Sequence, residues 1–285
     1  MASMRDIKRR KESVASTGQI TKAMKLVSTV KLQKAKARAE GNKPYFTMLY
    51  DTICSVLGRT GTIDHRYLKA NDSTRKAVIA ITSNRGLAGG YNNNIVKEIV
   101  AQCDPKETDI YAVGKKGLEG LLRKGYNIVE DYSEVMNDPL YGDAIHIGKN
   151  VLASYENGEV GEIYLAYTSF KNTVVQEPKL MKLLPIDVEE IMQDVEIDVL
   201  TPMNYEPEAD EALDMIIPKY MNNIIFGAFV EAVASENGAR MQAMDSATKN
   251  AEDMIADLSL KYNRARQGAI TQELTEIIAG ADAIS

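Results

Sequence analysis

Tryptophan is absent from this chain and phenylalanine occurs only four times, so a core must be assembled from Ile, Leu, Val, Met, Ala and Tyr. Two cysteines, Cys54 and Cys103, are too few and too far apart for a disulfide framework or a zinc ribbon. Reduced, structural thiols and a cytoplasmic setting are the expectation. The two histidines, His65 and His146, stand in no Cys or carboxylate spacing that would ligate zinc, and no metal site is expected. There is no Gly-x-Ser-x-Gly elbow and no Cys-His arrangement for nucleophilic catalysis. Long hydrophobic runs are missing too. The most apolar stretch, Met221 to Val230, is bounded by Lys219 and Glu231, well short of the roughly 20 residues a bilayer crossing needs. Charges from Arg5 onward argue against a signal peptide, so membrane association is expected only through a partner.

What is present is unevenly distributed. The net charge of −6 conceals a basic arm: residues 1–43 carry twelve Lys and Arg against Asp6, Glu12 and Glu40. That arm is +9 and the remainder −15. Such an arm suits an acidic partner, although a solvated helix face explains charge alone equally well. Interleaved aromatics and a recognition-helix pattern are lacking, and the acidic remainder opposes nucleic acid.

Three regions follow along the chain. From about Ser3 to Leu57 helix formers dominate, with only Pro44, Gly18 and Gly41 as breakers. Its apolar members include Ile7, Val14, Ile20, Met24, Val27 and Val30, which predicts a long helix whose stripe is too thin to stand alone. From about 75 to 195 the period changes. Short β-branched runs at 77–82, 110–113 and 163–168 predict buried strands, with an edge strand at 173–176. Helical stretches near 93–101, 115–124 and 142–156 alternate with them, so a small α/β domain with a largely parallel sheet is expected.

An acidic connector runs from Asp187 to Pro207, with Glu206, Glu208, Asp210 and Glu211 suited to a helix start. Beyond Pro218, which should kink the first turns or mark the true start, no proline occurs. A line from Leu213 through Ile217, Ile224, Ala228, Ala232, Ser235, Ala239, Ala243, Ala247, Ala251, Met254 and Leu258 to Ala269 has helical spacing, about 3.7 residues per step. Some sixty residues of helix would extend roughly 90 Å, too long for a small domain to enclose. The two ends of the chain are therefore expected to pair as an antiparallel coiled coil, with the α/β domain between them in sequence. The expected boundaries are 1–60, 75–195 and 208–285.

Ser83-Asn-Arg-Gly-Leu-Ala-Gly-Gly-Tyr-Asn92 is a glycine-rich turn between strand and helix, the place where a phosphate could be cradled by Gly86, Gly89 and Gly90. It has neither G-x-G-x-x-G spacing nor a Gly-Lys-Ser/Thr ending, and a turn without ligand is the better reading. A helical shaft or adaptor thus outranks a nucleotide-dependent enzyme, and both outrank a DNA-bridging coiled coil.

Asp6-Ile-Lys-Arg-Arg and Gln19-Ile-Thr-Lys-Ala-Met-Lys-Leu-Val27 resemble the opening helix of F-type ATP synthase γ subunits of the bacterial type. Ile81 to Asn92 resembles that family's first strand-turn. Ser235-Glu-Asn-Gly-Ala-Arg-Met-Gln-Ala-Met244 and Tyr262 to Ile277 resemble its closing helix. The resemblance covers the chain from end to end. It implies an antiparallel coiled coil of both termini with a Rossmann-like α/β globular domain at its foot, acting as a non-catalytic rotor shaft without cofactor inside a ring of three α and three β subunits. Its foot would rest on the ε subunit and the membrane c-ring, peripheral at the cytoplasmic face and driven by proton or sodium flow. It further implies rotor–stator contacts at Met24, Lys25 and Arg240, and at Arg266, Gln267, Thr271 and Glu273 near the closing tip. Nothing resembles the cysteine-bearing insert of chloroplast members, and Ala88 stands where many relatives have cysteine in the turn.

Overall fold

Ala77, Ile79 and Ile81 enter one hydrophobic cluster while Val78 and Ala80 enter another, so β1 (Lys76–Ile81) is covered on both faces. That double burial is why its sequence is an unbroken apolar run rather than an alternation. The computed structural model that shows this describes residues 4–60, 65–69, 71–187 and 209–282.

In chain order the elements are α1 (Met4–Thr60), β1, α2 (Tyr91–Gln102), β2 (Thr108–Val113), α3 (Lys115–Leu122), β3 (Asn127–Asp131), a 3-10 turn (Ser133–Asn137), α4 (Tyr141–Glu156), β4 (Glu162–Phe170), β5 (Gln176–Leu184) and α5 (Ala209–Asp282). The chain divides into two units. One holds Met1–Ser28 and Arg240–Ser285; the other holds Thr29–Ala239.

The larger unit is built on a five-stranded sheet of order β3-β2-β1-β4-β5. β1 pairs in parallel with β2 and β4, β2 with β3, and only β5 runs antiparallel, against β4. This is the order of a Rossmann-like half with a reversed edge. On one face Ile95, Val96 and Ile99 of α2 and Leu121 of α3 cover Val78, Ile110 and Ala166. On the other, Ile147 and Val151 of α4 join Leu213, Ile217, Met221, Ile225 and Phe229 of α5 over Ile79, Ile163 and Leu165. From Tyr220 to Ala239 no residue of α5 is exposed. Hydrogen bonds stitch this stretch in place: the Tyr91 hydroxyl donates to the Ala232 carbonyl at 3.2 Å, and Ser235 Oγ donates to the Thr168 carbonyl at 3.0 Å. Leu32 and Ala35 of α1 pack with Ala234, and the rings of Tyr50 and Tyr220 lie 6.3 Å apart, so within this unit the two helices run antiparallel.

Several expectations need correction. Residues 173–175 form the β4–β5 turn, not a strand. Asn172 Oδ1 accepts from the amides of Val174 and Val175 at 2.8 Å each, diverting them from a ladder, and the strand begins at Gln176. β3 was not foreseen, because at the sheet edge only its alternate residues are half-buried. α5 begins at Ala209, nine residues before Pro218, with Asp210 and Glu211 in its first turn. It passes through the proline, as α1 passes through Pro44. Apart from Asp187, the acidic connector lies outside the described residues.

Candidate functional site

The smaller unit pairs the first turns of α1 with the last half of α5. A Cβ on Gly18 would sit 3.4 Å from that of Ala251. The hydroxyls of Thr21 and Thr248 are 2.7 Å apart, and Lys25 Nζ lies 2.5 Å from Asp245 Oδ1. Moving along α1 from Gly18 to Lys25 thus moves backward along α5 from Ala251 to Asp245, and the pairing is antiparallel. Lys25 and then Lys249, whose Nζ is 3.0 Å from Asp245 Oδ2, hold the Asp245 carboxyl below its usual range.

Covered positions on α1 include Met4, Ile7, Lys11, Val14, Gly18, Thr21, Lys25 and Ser28. On α5 they include Met244, Thr248, Ala251, Ile255, Leu258, Tyr262 and Ala265. Both sets step alternately by three and four, the 3.5-residue period of a left-handed coiled coil. The apolar stripe expected on the first helix is therefore corrected in part. Ile7, Val14 and Met24 are half-covered, but Ile20, Val27 and Val30 are exposed, as is Leu26. Around Gly18, Thr21 and Ser28 small residues take the seam instead, and at Gly18 they let two backbones approach closely. On the closing helix Met254 and Ala269 are likewise exposed.

Continuing the register places Met4 opposite Ala265. No described residue of α1 falls opposite α5 beyond that point, and every residue from Arg266 to Gly280 is exposed. Ile270, Leu274, Ile277 and Ile278 are 47%, 55%, 63% and 61% exposed. At about 100° per residue they share one stripe, bordered by Arg266 and Glu273 on one side and by Thr271 on the other, with Gln267 within it between Leu274 and Ile278. Thr271 Oγ1 donates back to the Gln267 carbonyl at 2.9 Å, leaving its lone pairs outward. Of the other sequence-derived contact residues, Met24 and Arg240 are half-covered, and Lys25 is engaged by Asp245 of its own chain. The seven residues thus fall into two groups, one on the paired helices and one on the solitary tip.

The glycine turn, in the larger unit, is tied up by the chain itself. Ser83 N donates to Asn92 Oδ1 at 2.8 Å, Asn92 Nδ2 donates to Ser83 Oγ, and Ser83 Oγ donates to the Arg85 carbonyl at 2.7 Å. Across the sheet end, the first amides of α3 are also taken. Lys115 N donates to Asn84 Oδ1 at 3.0 Å, Lys116 N to the Ser83 carbonyl at 3.0 Å and Gly117 N to Thr82 Oγ1 at 2.8 Å. An anion arriving at the start of α3 would find those donors occupied.

His65 is less isolated than its sequence position suggests. Its Nδ1 accepts from the Tyr67 amide at 3.2 Å, so Nε2 carries the proton and faces Asp214 Oδ1 at 3.1 Å. Among the described residues no group of three or more His, Cys, Asp or Glu could hold a metal ion, and no helix is long and apolar enough to cross a membrane. Neither cysteine is in a disulfide and both are buried, and burial pushes the Cys103 thiol up.

A family model described as ATP synthase matches residues 3–284. The ATP synthase gamma chain of Lachnoclostridium phytofermentans is 67% identical over 291 residues, covering all of both chains. This chain belongs to the ATP synthase gamma-chain family. The gamma chain of Acetobacterium woodii, named as sodium ion specific, is 38% identical over 298 residues and covers 99% of each. Among solved structures, a chain of the Euglena gracilis mitochondrial ATP synthase shares the fold with a TM-score of 0.68 at 20% identity, covering 99% of this chain and 94% of that one. A chain from the central stalk and c-ring of the Tetrahymena thermophila enzyme superposes with a TM-score of 0.58 at 24% identity, covering 80% and 99%. As a gamma chain the protein is a subunit of the ATP synthase complex.

The sequence reading missed Thr21, Thr248 and Asp245. The signal was there in the three-and-four stepping of Gly18, Thr21, Lys25 and Ser28, but a search for apolar residues passes over it.

Proposed function

We propose that this chain is the non-catalytic central rotor shaft of an ion-translocating ATP synthase. The observation that carries the reading is the solitary end of α5. Residues 266–280 project an exposed aliphatic stripe with polar borders past the paired helices, a surface that a surrounding sleeve would complete. Within a ring of α and β subunits, Ile270, Leu274, Ile277 and Ile278 slide on apolar walls. Arg266, Gln267, Thr271 and Glu273 form hydrogen bonds that make and break with each step. Met24, Lys25 and Arg240 meet the ring lower on the shaft, where the basic first helix suits acidic loops. The α/β unit is the foot that joins the ε subunit and the c-ring, holding the chain peripherally at the cytoplasmic face of the membrane. Ion flow turns the c-ring, the c-ring turns the shaft through the α/β unit, and the catalytic subunits change state.

The test is direct. A bead fixed to an exposed residue of the foot in an immobilised complex should rotate when ATP is added. A bead that stays still while the complex hydrolyses ATP overturns the shaft reading.

A further inference from the structure

A helix pair has a weakness wherever small residues join it. Alanine- and glycine-sized knobs interlock shallowly, so one helix slides past the other with little steric resistance. The smaller unit meets this in three consecutive layers. Gly18 and Ala251 make the closest approach, Thr21 and Thr248 share a hydroxyl–hydroxyl bond at 2.7 Å, and Lys25 pairs with Asp245. Thr21 is buried, and each threonine also has a carbonyl of its own helix in reach: Gly18 O at 3.0 Å for Thr21 and Met244 O at 2.8 Å for Thr248. One hydroxyl can therefore donate across while the other donates back to its own helix, and the cross-helix bond is made in this register alone.

A slip of one heptad destroys that match. In one direction Thr21 comes to face Ile255 and Gly18 faces Leu258; in the other, Thr21 faces Met241 and Lys25 faces Gly238. The hydroxyl loses its cross-helix partner either way. The ion pair by itself does not forbid both slips, since Glu252 would replace Asp245 opposite Lys25 in the first. The threonine pair is the layer that discriminates.

We propose that the Thr21–Thr248 hydroxyl pair is a register lock, fixing how far α5 projects beyond α1 and so which residues of the tip are presented. The proposal builds on the shaft reading: a shaft whose helices creep under load changes the length and phase of its solitary end. A buried polar pair that fixes register is a known use of polarity in coiled coils.

The experiment uses the full chain with spin labels on cysteines placed at the exposed positions Ser16 and Asp253, which lie at the same level on the outer faces of the two helices in this register. Cys54 and Cys103 are buried and stay unlabelled. The unaltered pair should give one narrow distance. Combining Thr21→Val with Thr248→Val keeps shape but removes both hydroxyls. It should add a second population, offset along the helix axis by about 10 Å, the rise of seven residues. Thr21→Ser with Thr248→Ser keeps both hydroxyls and should retain the single distance. An unchanged single distance in the valine pair overturns the lock, as does slippage in the serine pair. Both outcomes are read on the chain alone, whereas the shaft reading stands or falls on bead rotation in the complex.

Discussion

The two units use apolar residues in opposite ways. In the α/β unit Ile79, Ile81, Ile163 and Leu165 are wholly enclosed, and the segment of α5 crossing it shows no exposed residue. In the coiled-coil unit Ile20, Leu26, Val27 and the tip isoleucines lie open, while Gly18, Thr21 and Ser28 occupy the seam. One unit spends its hydrophobic residues on its own stability. The other leaves larger aliphatic side chains uncovered beside a seam that includes Gly18, Thr21 and Ser28. Under the proposed function those uncovered side chains would meet a surrounding partner.

The largest test of this contrast is a single backbone position. Gly114 has φ of 114°, and a Cβ there would lie 2.3 Å from the Thr82 carbonyl oxygen. Gly114→Val should cost more than about 4 kcal/mol, from strain and overlap together. Urea unfolding should show the foot lost; a midpoint near that of the unaltered chain would mean the loop between β2 and α3 yields more than its bonds to Thr82, Ser83 and Asn84 suggest.

Matched truncations sharpen the comparison. Ile79→Ala should destabilise the isolated chain by about 2–5 kcal/mol, because it opens a cavity between the sheet and α4. Val27→Ala, on a side chain 57% exposed, should change it by less than about 0.5 kcal/mol. In the assembled complex the order should narrow, with Val27→Ala lowering turnover where its surface meets the ring. Equal unfolding costs for the two in the isolated chain would erase the distinction between the units.

The same distinction governs how much was legible in the sequence. β1, β2 and β4 were readable because burial on both faces leaves contiguous β-branched runs. β3 and β5 were not, since an edge strand carries polar residues and, in β5, Pro178, Lys179 and Lys182. Two long helices were evident from length and the scarcity of breakers. Which face of α1 turned inward was not, because hydrophobicity marks a seam only where large side chains fill it. The tip residues Arg266, Gln267, Thr271 and Glu273 follow no period at all. They were singled out through the family resemblance; the structure adds that they border a stripe left uncovered.

Glu273 offers the next test. Glu273→Ala removes a carboxylate whose hydrogen bonds to the ring would each contribute roughly 1.5–3 kcal/mol. Glu273→Lys adds repulsion and should lower ATP turnover of the complex further, by tenfold or more, with the subunit still folded and incorporated. A lysine variant as active as the unaltered enzyme would make Glu273 a bystander and move the contact elsewhere on the tip. Chemical access gives a smaller effect. Cys103, buried and with its thiol pushed up, and Cys54, wholly enclosed, should resist alkylation in the native chain and react only after unfolding. Fast native labelling at Cys54 would show that the helices part where they cross the foot.

The smallest effect belongs to the ion pair beside the threonines. Lys25 and Lys249 lower the Asp245 pKa in the folded chain relative to the unfolded one. A depressed carboxylate contributes stability above its unfolded pKa, about 4, and that contribution disappears as pH falls through the lower, folded value. The coiled-coil unit should therefore loosen slightly more below pH 4 than its seam alone requires, while remaining insensitive between pH 6 and 8. Asp245 is solvated, so salt should mute the effect. Labels at Ser16 and Asp253 would report it as a broadening of the single distance on acidification. Asp245→Asn should already be slightly broader at neutral pH and should change less on going to acid. If the asparagine variant broadens with pH as much as the parent, Asp245 does not contribute to pairing, and the register rests on the hydroxyls and the close approach at Gly18 alone.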